Sequence, residues 1–162
     1  THGGSIRVYA GKKGARSIDA SVDVLLAEER RSGVADGTVL EKYRQLILGS
    51  QLSLLSMINT IKSAGATIYG ISAPSLASTL TNYVGIDHQM VDCILEVPSS
   101  HKIGRYVPGT RIPVVDEAKL FEDQPDYALI FAWHIAEELM PKLRQKGFKG
   151  KFIIPLPEPR II

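Results

Sequence analysis

Four short apolar runs, separated by helical or loop segments, constrain this chain more than any motif in it. Residues 66–71, 92–97, 126–133 and 150–155 are strand-length, rich in Ile, Leu, Val or Phe, and carry their charges near the ends. Runs of that kind are buried on both faces, which is the condition of a strand inside a parallel sheet covered by helices. Helical patterns surround them, over residues 17–31, about 39–63, 75–84 and 134–146, with a short one running from Asp116 as its N-cap to Leu120. The order is therefore helix–strand–helix–strand–loop–helix–strand–helix–strand. It predicts an α/β fold: a Rossmann-like, mostly parallel sheet with helices on both faces, preceded by a strand over residues 5–10 and a long helix pair.

The segments before the first apolar run read differently from those after it. Residues 1–16 are expected to be a strand and linker left by a missing upstream domain, because the chain opens Thr-His-Gly-Gly without a Met. Residues 17–64 are expected to be a helical pair packed on the core, and residues 65–162 the Rossmann-like domain. Thr38 and Glu41 have the spacing of a capping box at the start of the second helix. Gly65 ends that helix, since glycine takes the left-handed conformation at a helix C-terminus without strain. Along it, Leu40, Tyr43, Ile47, Ser50, Leu54, Met57 and Ile61 recur at steps of three and four, the spacing of a helix–helix seam. The seam packs on the domain's own core, on a neighbouring domain, or on a second copy in a homodimer.

Composition removes several classes of function. At 162 residues, 44% hydrophobic and 22% charged, the chain is long enough for one domain with a real core. Its net charge of +2 and the absence of a basic run interleaved with aromatics give no platform for nucleic acid. No apolar run approaches the roughly 20 residues needed to span a membrane, and no charged-then-apolar leader is expected at the N-terminus. The single cysteine, Cys93, allows no internal disulfide and no multi-cysteine zinc site, and it reads as a small core residue. The expected location is a reducing cytoplasm.

In open α/β sheets ligands bind beyond the carboxyl ends of the strands. Here those ends are residues 70–75, 96–102 and 133–134. The first, Gly70-Ile-Ser72-Ala73-Pro74-Ser75, stands where a dinucleotide fingerprint would be but has one of its glycines, so nicotinamide binding is disfavoured. The helix after it still offers backbone amides to an anion. Glu96 ends the second strand at a position suited to a ribose hydroxyl. Between residues 97 and 115 the chain carries His101, Lys102, Arg105 and Arg111 and no acid, and its Pro108-Gly109 and Ile112-Pro113 turns stiffen it. Such a loop is a seat for a phosphate group. Trp133 can stack on a base or sugar, and His134 can donate to an oxygen or accept a proton. The candidate substrate-binding set is Ser72, Ala73, Pro74, Glu96, Lys102, Arg105, Tyr106, Gly109, Trp133 and His134. No catalytic residue and no metal ligand is assigned.

Five segments together resemble one family. They are His2-Gly-Gly-Ser-Ile-Arg7, the run from Ile68 through Tyr69-Gly70 to Asn82, His101-Lys-Ile-Gly-Arg-Tyr-Val-Pro-Gly-Thr-Arg-Ile-Pro113, Pro125-Asp-Tyr through Trp133, and Lys151-Phe-Ile-Ile-Pro155. In this order and spacing they are similar to the C-terminal domain of bacterial S-adenosylmethionine-dependent C-methyltransferases acting on nucleotide-linked deoxyketosugars. The resemblance implies upstream zinc-binding and S-adenosylmethionine-binding domains in the same polypeptide, a sugar-nucleotide site formed partly by this chain, and no cofactor bound here. It implies a reaction in which a proton leaves the carbon beside a ketone and the enolate attacks the methyl group. It also implies that the chain alone is inactive. The chain departs from the family pattern at Ser72, where a glycine is usual, at Leu76-Ala77 in place of Lys-Gly, at His134 in place of Asn, and at Glu96 in place of Asp. A different class of function, a non-catalytic interaction module built on the helical seam, stands as the alternative.

Overall fold

The structure is a computed structural model, and it describes residues 5–162. Contacts divide the chain into Thr1–Leu48 and Gly49–Ile162, with the division falling inside the second helix.

The larger unit is the α/β domain. Its strands are β1 (Ile68–Ile71), β2 (Cys93–Glu96), β3 (Val114–Asp116), β4 (Tyr127–Ile130), β5 (Lys151–Ile154) and β6 (Arg160–Ile161). They form one sheet in the order β3-β2-β1-β4-β5-β6. Every pairing is parallel except β5 with β6. This is the Rossmann-like, mostly parallel sheet that the alternation of apolar runs predicts.

Alternate residues of the strands feed two cores. Ile68, Ile94, Leu129 and Ile153 face one layer, built on the second half of α2 (Thr38–Ser63) and on α3 (Ser75–Val84). Tyr69, Ile71, Cys93, Leu95, Ala128, Ile130 and Phe152 face the other, built on α4 (Ala118–Asp123) and α5 (Ala136–Gln145). Period-2 alternation with both faces apolar is what makes these runs read as continuous hydrophobics. Two carboxylates stitch the amino end of β1 to its neighbours. Asp92 accepts from the Ile68 N–H at 3.0 Å and pairs with Lys62 of α2 at 3.3 Å. Asp126 accepts from both the N–H and the hydroxyl of Thr67 at 2.9 Å, and these bonds hold its carboxyl below the usual carboxylate range.

The expected helix over residues 75–84 is α3, residue for residue. Gly65, at φ 78°, terminates α2 as expected, and the Ala66 N–H reaches back to the Ile61 carbonyl. Within Gly49–Ile162 the seam residues Leu54 and Ile61 are buried and Met57 packs partly against them. The short third strand β3 was read as the end of a loop. It is three residues long and follows Pro113, which cannot donate to a ladder. The helix after it starts at Ala118, whose N–H donates to Asp116 Oδ1 at 2.8 Å.

The smaller unit contains α1 (Ala20–Ser32) and the first part of α2. Asp19 caps α1 by accepting from the Ser21 N–H at 2.9 Å. Gly33 closes it in the left-handed conformation. In place of the expected Thr38–Glu41 capping box, Asp36 accepts from the Thr38 N–H and hydroxyl, while Glu41 accepts from Gln45 one turn on. No residue of α1 is buried, and Leu40 and Tyr43 at the start of the α2 stripe are exposed. Residues 5–10 form no strand. They are exposed throughout, and among the described residues no strand pairs with them, so their amides lack the ladder that extended chain needs.

Candidate functional site

Strand order fixes where a ligand site would be. From β1 the chain crosses through α3 to β2 and then to β3, on one side of β1; β4 and β5 lie on the other. The reversal between β1 and β4 is a topological switch point, and the crevice of such a sheet opens there beyond the carboxyl ends. The two strands are in register from Ile68↔Tyr127 to Ile71↔Ile130, and the Phe131 N–H donates to the Ile71 carbonyl at 3.1 Å. The segments leaving this edge are Ser72–Pro74 and Phe131–His134.

Gly70 sits one residue before the end of β1. A Cβ there would lie 2.7 Å from Ile94 Cγ1 and 2.7 Å from a Phe131 ring carbon. The glycine therefore serves sheet packing and opens no cradle for a pyrophosphate. Together with the missing glycines of the turn, this means that the described residues do not fit a nicotinamide dinucleotide, and no step through a bound cofactor is derived.

The turn after β1 is held by its neighbour strand. The Ser72 N–H donates to the Leu95 carbonyl at 2.9 Å, and Ser72 itself takes a left-handed φ of 67°. The Ala73 N–H donates to Glu96 Oε1 at 2.6 Å, and the Ala73 carbonyl accepts from Lys102 Nζ at 2.7 Å. Lys102 Nζ stands 3.4 Å from the same Glu96 oxygen. Ser72, Ala73, Glu96 and Lys102 are thus brought together as the sequence anticipates, with Pro74 following as the N-cap of α3. Glu96, read from sequence as a ribose contact, spends this oxygen on the turn.

The rest of the basic loop travels elsewhere. It is the crossover from the carboxyl end of β2 to the amino end of β3, and a parallel pair requires that return. Arg105 and Tyr106 lie on the returning part. The Arg105 carbonyl accepts from the Val114 N–H at 2.8 Å, and Tyr106 bridges Pro113. Gly109 rests against Asn82, whose Nδ2 donates to the Pro108 carbonyl at 2.9 Å and to the Ser78 carbonyl at 2.7 Å. Asn82 is seven residues into α3 from Ser75, roughly 10 Å along a helix. Gly109 is therefore not gathered with Ser72–Pro74. Buried Val107 and Ile112 pin this loop to the core. Asn82 is a residue that chemistry-first reading passes over. Its signal in the sequence is positional, as the last residue of the segment that begins at Ile68.

Trp133 and His134 begin a 3-10 turn that leads into α5. The Trp133 ring is half-buried and touches both cores, and the two rings meet edge-on with centroids 6.3 Å apart. His134 is exposed on the β4 side of the switch point. His2 and the glycines after it lie outside the described residues.

Comparison with known proteins adds an independent observation. Residues 1–157 match the family described as the C-methyltransferase C-terminal domain. The chain is 32% identical over 165 aligned positions to the C-methyltransferase NovU of Streptomyces niveus. The match covers 99% of this chain and 39% of NovU, so the chain spans about two-fifths of the length of that curated relative.

Proposed function

The chain belongs to the C-methyltransferase C-terminal domain family, and from that membership we propose that it is the substrate-side domain of an S-adenosylmethionine-dependent enzyme that methylates carbon on a nucleotide-linked sugar. On this reading the methyl donor is bound outside the chain, by zinc-binding and cofactor-binding domains of the same cytoplasmic polypeptide. The chain's own residues orient the sugar nucleotide and are inactive alone. The observation that carries the reading is the cluster at the switch point. A lysine ammonium lies on the turn that leads into α3 from β1, a half-buried tryptophan and an exposed histidine follow β4, the strand beside it, and family membership says what kind of enzyme they serve. Lys102 supplies positive charge beside the diphosphate. The α3 amides face the same anion. Trp133 offers a stacking edge and His134 a hydrogen bond to a sugar or base oxygen. Arg105, Tyr106 and Gly109, placed along the crossover, act by holding that loop's course.

Calorimetric titration with dTDP, UDP, GDP and CDP tests this, with S-adenosylmethionine and NAD as controls. One diphosphate is expected to bind while both controls stay silent. Lys102→Ala is expected to weaken it about tenfold, the scale of one charge-assisted contact, with an unchanged circular dichroism spectrum. Binding of S-adenosylmethionine would overturn the division of roles.

A second reading is favoured by one observation. The apolar residues of α1 and of the first half of α2 are uncovered, with Val24 65%, Leu40 63% and Tyr43 59% exposed. A non-catalytic module that docks a partner or forms a homodimer through this stripe explains them. A mass that rises with concentration in sedimentation supports self-association, and a constant monomer counts against it.

A further inference from the structure

Ala73 is the one residue of the β1–α3 turn whose N–H and carbonyl are both held by side chains from another strand end. Its N–H is bonded to Glu96 Oε1 at 2.6 Å and its carbonyl to Lys102 Nζ at 2.7 Å. The two side chains close the ring on each other at 3.4 Å. The Glu96 side chain is 10% exposed and that of Lys102 41% exposed, so the carboxylate is the inner jaw and the ammonium the outer one. The residue immediately before, Ser72, is left-handed at φ 67°, a region that disfavours any side chain with a Cβ. A turn held in a disfavoured conformation persists only where its surroundings over-determine it.

We infer that Glu96 is a positioning residue: it fixes the Ala73 peptide, and through it the left-handed Ser72, so that the turn presents one shape to a nucleotide it does not itself touch. The inference rests on the reading of this crevice as a nucleotide site. It changes the role of Glu96 from hydroxyl ligand to clamp, and it gives Lys102 two duties, the Ala73 carbonyl and the ligand's anionic group. Glycine takes φ > 0 without help, whereas Ser72 takes it with the clamp closed.

The test is a variant series on this chain: Glu96→Ala, Glu96→Gln, Ser72→Gly, and Glu96→Ala with Ser72→Gly. Each is titrated with dTDP, UDP, GDP and CDP, and the exchange rate of the Ala73 amide is followed by NMR. Glu96→Ala is expected to weaken the bound diphosphate at least about tenfold, and Glu96→Gln, which keeps an acceptor for the amide, about threefold. Adding Ser72→Gly to Glu96→Ala is expected to return affinity to within about threefold of Ser72→Gly alone. In a direct-contact role the double variant would stay as weak as Glu96→Ala, and that result overturns the inference. Ala73 exchange is expected to accelerate at least about tenfold in Glu96→Ala, since exchange reports local opening. An unprotected Ala73 amide in the wild type, or one whose rate ignores Glu96→Ala, overturns the clamp outright. Should Glu96→Ala fail to fold, Glu96→Ala with Ser72→Gly is compared with Ser72→Gly alone, and a loss of affinity of about tenfold or more between those two overturns the inference. If no diphosphate binds the wild type, the functional proposal fails while the exchange rates still decide the clamp.

Discussion

Gly70→Ala is the sharpest perturbation this fold offers, because one methyl group is set against the centre of the sheet. Gly70 lies on β1 between β2 and β4, in register with Ile94 and Leu129. The added Cβ would stand 2.7 Å from Ile94 Cγ1 and 2.7 and 3.1 Å from two Phe131 ring carbons. Both neighbours are fully buried, so neither can swing into solvent. Overpacking of this kind costs about 1–3 kcal/mol, and three close contacts at once place it near the upper end. Alanine also restricts the unfolded chain, which offsets about 0.4–1 kcal/mol. The net expectation is a loss of about 2 kcal/mol. For a chain of this size that lowers the melting temperature by roughly 4–8 °C. Thermal and urea unfolding followed by circular dichroism read it, with the urea slope unchanged. Phe131→Leu makes room at the same point, so the double variant should lose less than the two single variants together, with a coupling of at least about 0.5 kcal/mol. A Gly70→Ala protein within about 0.5 kcal/mol of wild type would refute the reasoning. It would mean that the gap between β1 and β4 at the crevice is not closed by packing.

Other consequences follow from single contacts. The Arg144 guanidinium lies 4.5 Å over the Phe152 ring and donates to the carbonyls of Phe148 and Gly150. Arg144→Ala should cost about 1–2 kcal/mol in urea unfolding, and Arg144→Lys should recover less than half, because an ammonium lacks the planar fork. Burial pushes the Cys93 thiol up to about 12. The thiol should therefore resist an aromatic disulfide reagent at pH 8 in the native protein and react within the mixing time in denaturant. Asp126 is held below the ordinary carboxylate range by its bonds from Thr67. A lowered folded pKa gives stability that is complete above the unfolded value near pH 4 and is lost as pH falls below it. The urea midpoint should therefore fall less steeply between about pH 4 and 2.5 in Asp126→Asn than in wild type.

What could be read in the sequence was what repeats or is local. The four central strands announce themselves because burial on two faces forces unbroken apolar runs, and α3 because a proline stands just before it and a left-handed glycine just after it. β3 escaped because three residues behind a proline carry no pattern, and its strand character comes from pairing with Ile94, Leu95 and Glu96. Residues 5–10 show the converse: β-rich composition does not make a strand without a neighbour to pair with, and among the described residues none pairs with them. The basic loop shows the same limit at the site. Its charge was legible, but its path was not, because a crossover must leave at one end of the sheet and return at the other. That geometry divides the loop. Lys102 stays at the carboxyl end with Ala73, while Gly109 is carried to Asn82. The bond between Glu96 and the Ala73 amide spans 23 residues, and nothing local marks an acid at a strand end as an inward hydrogen-bond acceptor. One local sign did exist, a serine where the turn demands φ > 0. A residue that disfavours its conformation implies a support elsewhere, and here the adjacent strand supplies it twice, through the Leu95 carbonyl on the Ser72 N–H and through the Glu96 carboxylate on the next amide.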